Sequence, residues 1–293
     1  MNKYIYFAVF LCFLFNSYRL SAQDESKTEE KKKKDFSFEL SLRYQRLDWD
    51  PYRTDGIWGQ AVSNSGNSNK IYFPQLKVLY QEKYYAELSH FKYYLGDFKY
   101  YYHTAGFQYP EYRIRNMNRE ETDINFIRKF QIGNHTFGAG AGWKKIALYS
   151  GTEGIVSSGS EKSDDRGFQI NLRYGFDIGK LQVYGKYDQM KLSGNTGRRS
   201  FNLVQNGYYE FSSPAETNME GYKAEAGISY SASENLKISF GYSKTFLYVM
   251  RERKMSALYY PDYRVTVLSY NLLTPETRKD SLKGFYISVT TVF

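Results

Sequence analysis

The sequence predicts an all-β fold: about ten antiparallel strands closed into a transmembrane barrel, with short turns at one end and long loops at the other. Three observations carry this expectation. Past Ala22 no apolar run approaches the ~18 residues that a spanning helix needs. Segments of about ten residues alternate apolar and polar side chains, and the connections between them alternate short and long. A mean hydropathy of −0.62 fits this scheme, because a membrane strand needs apolar residues only at every second position.

Residues 1–22 read as a secretory signal peptide. Lys3 precedes an apolar run from Tyr4 to Phe15, and Ser21-Ala22 supplies small residues for cleavage ahead of Gln23. Cys12, the single cysteine, lies inside that run, so the processed chain offers no thiol for disulfides, metal or nucleophilic chemistry. Residues 23–34 form a charged, flexible leader in which the lysines at 31–34 are balanced by Asp24, Glu25, Glu29 and Glu30. The barrel is expected over 35–293. The net charge of +9 could suit nucleic acid, but export, the lack of a Gly-rich phosphate loop and the lack of a basic helical face exclude that partner. No cofactor and no metal set are expected.

The strands follow in order. The first, "DFSFELSLRYQRL", sets Phe36, Phe38, Leu40, Leu42 and Tyr44 against Ser37, Glu39, Ser41, Arg43 and Gln45. After a loop at 49–70, strand two covers about 71–80, where Pro74 marks a bulge or a rim. The turn at 81–83 leads into strand three, about 84–94. A Tyr/Arg-rich loop at 95–119 precedes strand four, about 120–130, and Gly133-Asn134 reverses the chain. Strand five is "TFGAGAGWKKIAL"; strand six, "GFQINLRYGF", follows a loop at 149–165. The "DIGK" turn opens strand seven, with Leu181, Val183 and Tyr187 on its apolar face. A loop at 192–219 precedes strand eight, which carries Tyr222 to Tyr230. "SASEN" turns into strand nine, with Leu236, Ile238, Phe240 and Tyr242 outward, and a last loop at 249–280 leads to "GFYISVTTVF".

With an exported leader, an even strand count, alternating connections, aromatic strand ends and a C-terminal Phe293, the chain resembles the outer-membrane β-barrel proteins of diderm bacteria. Its size and topology are similar to the ten-stranded omptins. The resemblance implies that polar faces line the lumen, apolar faces meet lipid, short turns lie in the periplasm and long loops lie outside the cell. It implies a monomer in the outer membrane, and it makes Phe285, Ile287, Val289 and Phe293 a C-terminal signal for the barrel assembly machinery. Tyr44, Tyr72, Tyr80, Tyr84, Trp143, Tyr174, Phe176, Tyr187, Tyr222, Tyr230 and Tyr242 form its interfacial girdles.

The inward faces carry Glu39, Glu87, Asp123, Asp188 and Glu225 against Arg43, Lys77, Lys144, Arg173, Lys186 and Lys223. In so narrow a barrel these charges should pair across the lumen and plug it, since an unpaired buried charge is costly. The alternative is a small porin or channel for polar or anionic solutes. A third reading is an omptin-like hydrolase, but the loop at 192–219 holds neither aspartate nor histidine, and the omptin catalytic pair is missing there. Ser89 and His90 are neighbours on a strand and point to opposite faces, which argues against a dyad; His135 falls in a turn and His103 among tyrosines. No catalytic residue is expected. The remaining candidates are loop residues with the chemistry of binding surfaces: Tyr109, Tyr112, Arg113, Arg115, Arg251, Arg253, Tyr259, Tyr260, Tyr263 and Arg264. Their arginines would suit the phosphates of lipopolysaccharide, or an unidentified surface or host ligand.

Overall fold

The alternating segments all become strands, and most run well past the ends that the lipid-facing pattern predicts. The computed structural model describes residues 36–50, 61–64, 69–81, 83–100, 103–104, 107–108, 112–153, 157–204, 207–261 and 266–293. The barrel strands are β1 (Phe36–Asp50), β2 (Asn69–Tyr80), β3 (Tyr84–Tyr100), β4 (Tyr112–Ile132), β5 (His135–Glu153), β6 (Ser157–Ile178), β7 (Leu181–Val204), β8 (Gly207–Ser233), β9 (Leu236–Pro261) and β10 (Thr266–Val292). Each pairs antiparallel with its chain neighbours, and β1 pairs with β10 from Glu39↔Val292 to Asp50↔Ser281, which closes a ten-stranded barrel. Closure reaches the final residue: Phe38 and Phe293 exchange backbone bonds of 3.3 and 2.9 Å. A short strand, Ala61–Asn64, pairs with the outer end of β3, and His103–Thr104 pairs with Phe107–Gln108.

The connections expected as long loops at 95–119, 149–165, 192–219 and 249–280 are therefore largely ladder. β7 and β8 stay in register from Leu181↔Tyr230 to Val204↔Gly207. Beyond the lipid band the strands keep pairing while the apolar outer face that identified them from sequence gives way. Pro74 is neither bulge nor rim. It pairs with Leu42 on β1, just beyond Gln75↔Ser89, where the β2–β3 ladder stops; a residue with no N–H to donate is tolerated at such an end. The opposite turns are tight, with Gly133 and Gly179 at φ of 57° and 61°, a left-handed region that glycine enters without penalty.

Outward-facing apolar side chains form the lipid band: Phe168 is 79 % exposed, and Phe126, Ile170, Phe240 and Phe285 are likewise exposed. Aromatic rings flank it, with Tyr80, Tyr84 and Phe130 toward the turns and Tyr72, Tyr187 and Tyr242 at the other edge. Above that edge the pattern on β1 and β7 inverts. Arg46 and Asp48, or Gln189 and Lys191, face out, while Leu47 and Trp49, or Met190 and Leu192, are buried in the interior. Side chains from nine strands merge there into one apolar cluster.

One internal clasp depends on two glycines. Gly227 and Gly241 face each other on β8 and β9, and the phenols of Tyr184 on β7 and Tyr286 on β10 meet above them at 2.7 Å. A Cβ at Gly241 would lie 2.6 Å from the Tyr286 hydroxyl. Gly241→Val should therefore lower unfolding stability by about 1–3 kcal/mol, read by urea titration in lipid vesicles. Gly197→Ala, where nothing lies within 4 Å of the Cβ position, should leave it unchanged.

Candidate functional site: the lumen

The inward face of each strand supplies the lumen by parity. On β1 it presents Glu39, Ser41, Arg43 and Gln45, and then Leu47 and Trp49; on β4 it presents Asn125, Asp123, Glu121, Arg119 and Met117. Three levels result.

Toward the turn end lies a chamber of about 280 Å³. Glu39 is bridged there by Lys77 at 3.2 Å and Lys237 at 3.0 Å. Glu87 receives Arg173 at 3.2 Å and Lys186 at 3.6 Å, and Arg173 also reaches Asp188 at 2.5 Å. Asn171 donates to the same Asp188 carboxylate at 2.7 Å. Lys77 lies over the Tyr85 ring at 4.4 Å.

Above the chamber a chain of alternating charges crosses the barrel. Arg43 pairs with Glu225 at 2.8 Å, and Lys223 lies 3.6 Å from Glu225 and 3.9 Å from Asp123. Lys144 joins Asp123 at 2.8 Å to Glu121 at 2.5 Å. Arg119 joins Glu121 at 2.6 Å to Asp280, whose other oxygen accepts the Trp49 indole N–H at 3.1 Å. The strut thus ties β1, β4, β5, β8 and β10 together. Arg119 and Lys144 are fully buried, so every charge in it depends on its partner.

The third level is the apolar cluster. Trp49 packs edge-on against Tyr93 with centroids 5.6 Å apart, Phe73 packs on Phe91 at 5.1 Å, and the Tyr93 hydroxyl donates to the Leu47 carbonyl at 3.0 Å. A polar pocket in the β6 to β9 wall stands beside it. Arg251 pairs with Glu161 at 2.5 Å, and Thr217 donates to Asp165.

The inward charges expected from sequence, Glu39, Arg43, Lys77, Glu87, Asp123, Lys144, Arg173, Lys186, Asp188, Lys223 and Glu225, are each held in an ion pair of the lumen. Arg119, Glu121, Asp280, Lys237 and the Glu161–Arg251 pair were missed. Extending the inward parity of β4 two and four residues past Asp123 would have found Glu121 and Arg119. Among the loop candidates, Arg251 is corrected: it points inward and is 2 % exposed, because β9 continues through it. Arg115 is partly exposed and pairs with Glu153 at 2.6 Å. Tyr112 and Arg113 lie in β4, and Arg253, Tyr259 and Tyr260 lie in β9; Tyr109, Tyr263 and Arg264 lie outside the described residues. Ser89 turns toward Asp123 at 3.5 Å, while His90 faces out and shares a 2.9 Å bond with Thr122. Of the C-terminal residues, Phe285 and Ile287 are exposed on the outer face.

The outer-membrane protease OmpT of Escherichia coli has a similar architecture. At 11 % identity the alignment covers 91 % of this chain and 99 % of that one, with a TM-score of 0.56. The chain has the outer-membrane β-barrel fold. The toluene transporter TodX of Pseudomonas putida aligns over 88 % of this chain and 90 % of its own at 12 % identity, but with a TM-score of 0.35, too low to extend the likeness. No family model matches the chain, and no curated protein does.

Lys144→Met leaves Glu121 and Asp123 short of a buried cation and should cost about 3–5 kcal/mol in urea unfolding. Lys191→Gln, which removes an exposed pair with Glu220, should cost no more than about 1 kcal/mol. Asp165 stands clear of the lipid, since its outward neighbours Asp164 and Arg166 are charged and paired. Burial pushes its carboxyl up to about 6 from 3.8. Between those values the folded chain keeps a proton that the unfolded chain has lost, so the contribution of Asp165 to stability should fall as pH rises through that window. The difference in unfolding stability between the parent and Asp165→Asn should therefore change by on the order of 2 kcal/mol, to the parent's disadvantage, between about pH 4 and about pH 7 in the same assay.

Proposed function

We propose that the protein is a sealed outer-membrane barrel that presents long paired hairpins at the cell surface, in a structural or ligand-binding role. The apolar cluster above the ion strut carries this reading. Trp49, Phe91 and Tyr93 occupy the lumen where a porin keeps an aqueous path, and the buried pairs beneath them leave few charges free to pass an ion along.

The outer surface supports residence in an outer leaflet rich in phosphate. Arg46 pairs with Lys70 across β1 and β2, and Lys244 pairs with Lys283 across β9 and β10. All four are exposed directly above the aromatic edge, at the height where lipopolysaccharide phosphates would lie. The protein acts as a monomer in this reading, with its terminal strand recognised by the assembly machinery. Ser89 and His90 face opposite sides of the wall and so do not form a nucleophile–base pair with each other.

Planar-bilayer recording tests the seal. The folded, purified barrel should insert without producing stable conductance steps, and reproducible unitary steps would replace this reading with the channel.

A further inference from the structure

We propose that the chamber at the turn end binds a small multivalent oxyanion, a phosphate- or polycarboxylate-bearing solute taken up from the periplasmic side. Its volume of about 280 Å³ lies just below the usual range for drug-sized sites and suits a small solute. Its walls carry an excess of positive charge: among the described residues lining it, cations outnumber carboxylates seven to five. The carboxylates are already shared, Glu39 between two lysines, Glu87 between Lys186 and Arg173, and Glu225 between Arg43 and Lys223. Each of these three carboxylates serves two cations, so the set can take a further acceptor.

The arginines point the same way independently. Arg43 and Arg173 both line the chamber, and their side chains are 3 % and 8 % exposed. Nε and Nη2 of Arg43 and Nε of Arg173 have no protein acceptor and almost no exposed surface of their own, and the Arg43 guanidinium lies 3.5 Å over the Tyr286 ring. Buried guanidinium donors without partners cost stability, and an oxyanion with several acceptor oxygens would satisfy them once bound against the edge of these groups. Lys77, Lys186 and Lys237, with side chains 29, 30 and 37 % exposed, reach into the same space from β2, β7 and β9. Low-dielectric walls around one sign of charge concentrate counter-ions. The sealed-lumen reading enters only through the direction of access, because the strut and the apolar cluster close the opposite end.

Calorimetric titration of the folded, detergent-solubilised barrel with inorganic phosphate, and separately with citrate, tests the site at low salt. Saturable one-site binding of at least one anion is expected; preference between the two separates phosphate from carboxylate chemistry. Lys186→Gln and Lys237→Gln should each weaken it by about tenfold. Both leave the carboxylates paired, Glu87 by Arg173 and Glu39 by Lys77, so heat-modifiable folding should be retained. Lys191→Gln, on the outer wall, should bind as the parent does. The site is refuted if neither anion shows saturable binding, if both lumen variants bind as the parent does, or if Lys191→Gln loses as much affinity as they do. Anion binding by a barrel that also conducts would leave the site standing and refute the seal; a silent barrel without anion binding would do the reverse.

Discussion

The constraint on which the structure turns is that each strand passes through two solvents. In the lipid band the wall must be apolar outside, so the only place for polar groups is the lumen. Above the band water bathes the outside, and the interior becomes the only place to bury apolar surface. β1 records the change in one run: Leu40, Leu42 and Tyr44 face out beside Arg43 and Gln45, and then Leu47 and Trp49 face in beside Arg46 and Asp48. β7 does the same between Tyr187 and Met190. β9 departs from the rule, for Tyr248 and Met250 stay exposed while Leu247 and Val249 are buried, so that strand is apolar on both sides near its top.

The two interiors meet at the ion strut, and each conditions the other. The apolar cluster excludes water from Arg119, Lys144 and Glu121, which strengthens their attraction and makes every missing partner expensive. The strut gives the cluster a polar floor, with the Trp49 indole N–H spent on Asp280 and the Arg119 guanidinium 5.7 Å from the same ring. Packing and pairing are thus coupled through Trp49.

The fold was legible because lipid imposes a strict period of two where it touches the wall. The strand cores of all ten strands lie within the observed ones, and the pairing of inward charges followed from parity alone. What the sequence hid lies above the band. Once the outside is wet, polar residues such as Gln189, Lys191, Ser193 and Asn195 occupy outward strand positions, and a reading that seeks apolar outward faces takes them for loop. Arg251 was read as a surface residue for the same reason, though β9 pairs with β8 from Leu236 through Tyr260 and its register turns that side chain inward. The clasp of Tyr184 and Tyr286 was hidden differently, since nothing local connects residues on β7 and β10 until Gly227 and Gly241 let the phenols meet.

The strut also explains why the lower lumen is charged when an apolar filling would avoid desolvation. A strand apolar on both faces has no preferred register, because sliding by one residue merely exchanges equivalent sides. With Glu87 between the outward Ala86 and Leu88 on β3, and Arg173 between the outward Leu172 and Tyr174 on β6, a slip of one residue would turn those charges into lipid. That costs about 2–4 kcal/mol for a cation at the bilayer midplane. Higher up, the observed pairing Asp123↔Lys144 is the register in which opposite charges face one another inside the barrel. Charges that add little net stability can still select one closed barrel among its slipped neighbours, and pairs held across the lumen, such as Arg43 with Glu225 and Arg119 with Asp280, extend that selection to strands that share no ladder.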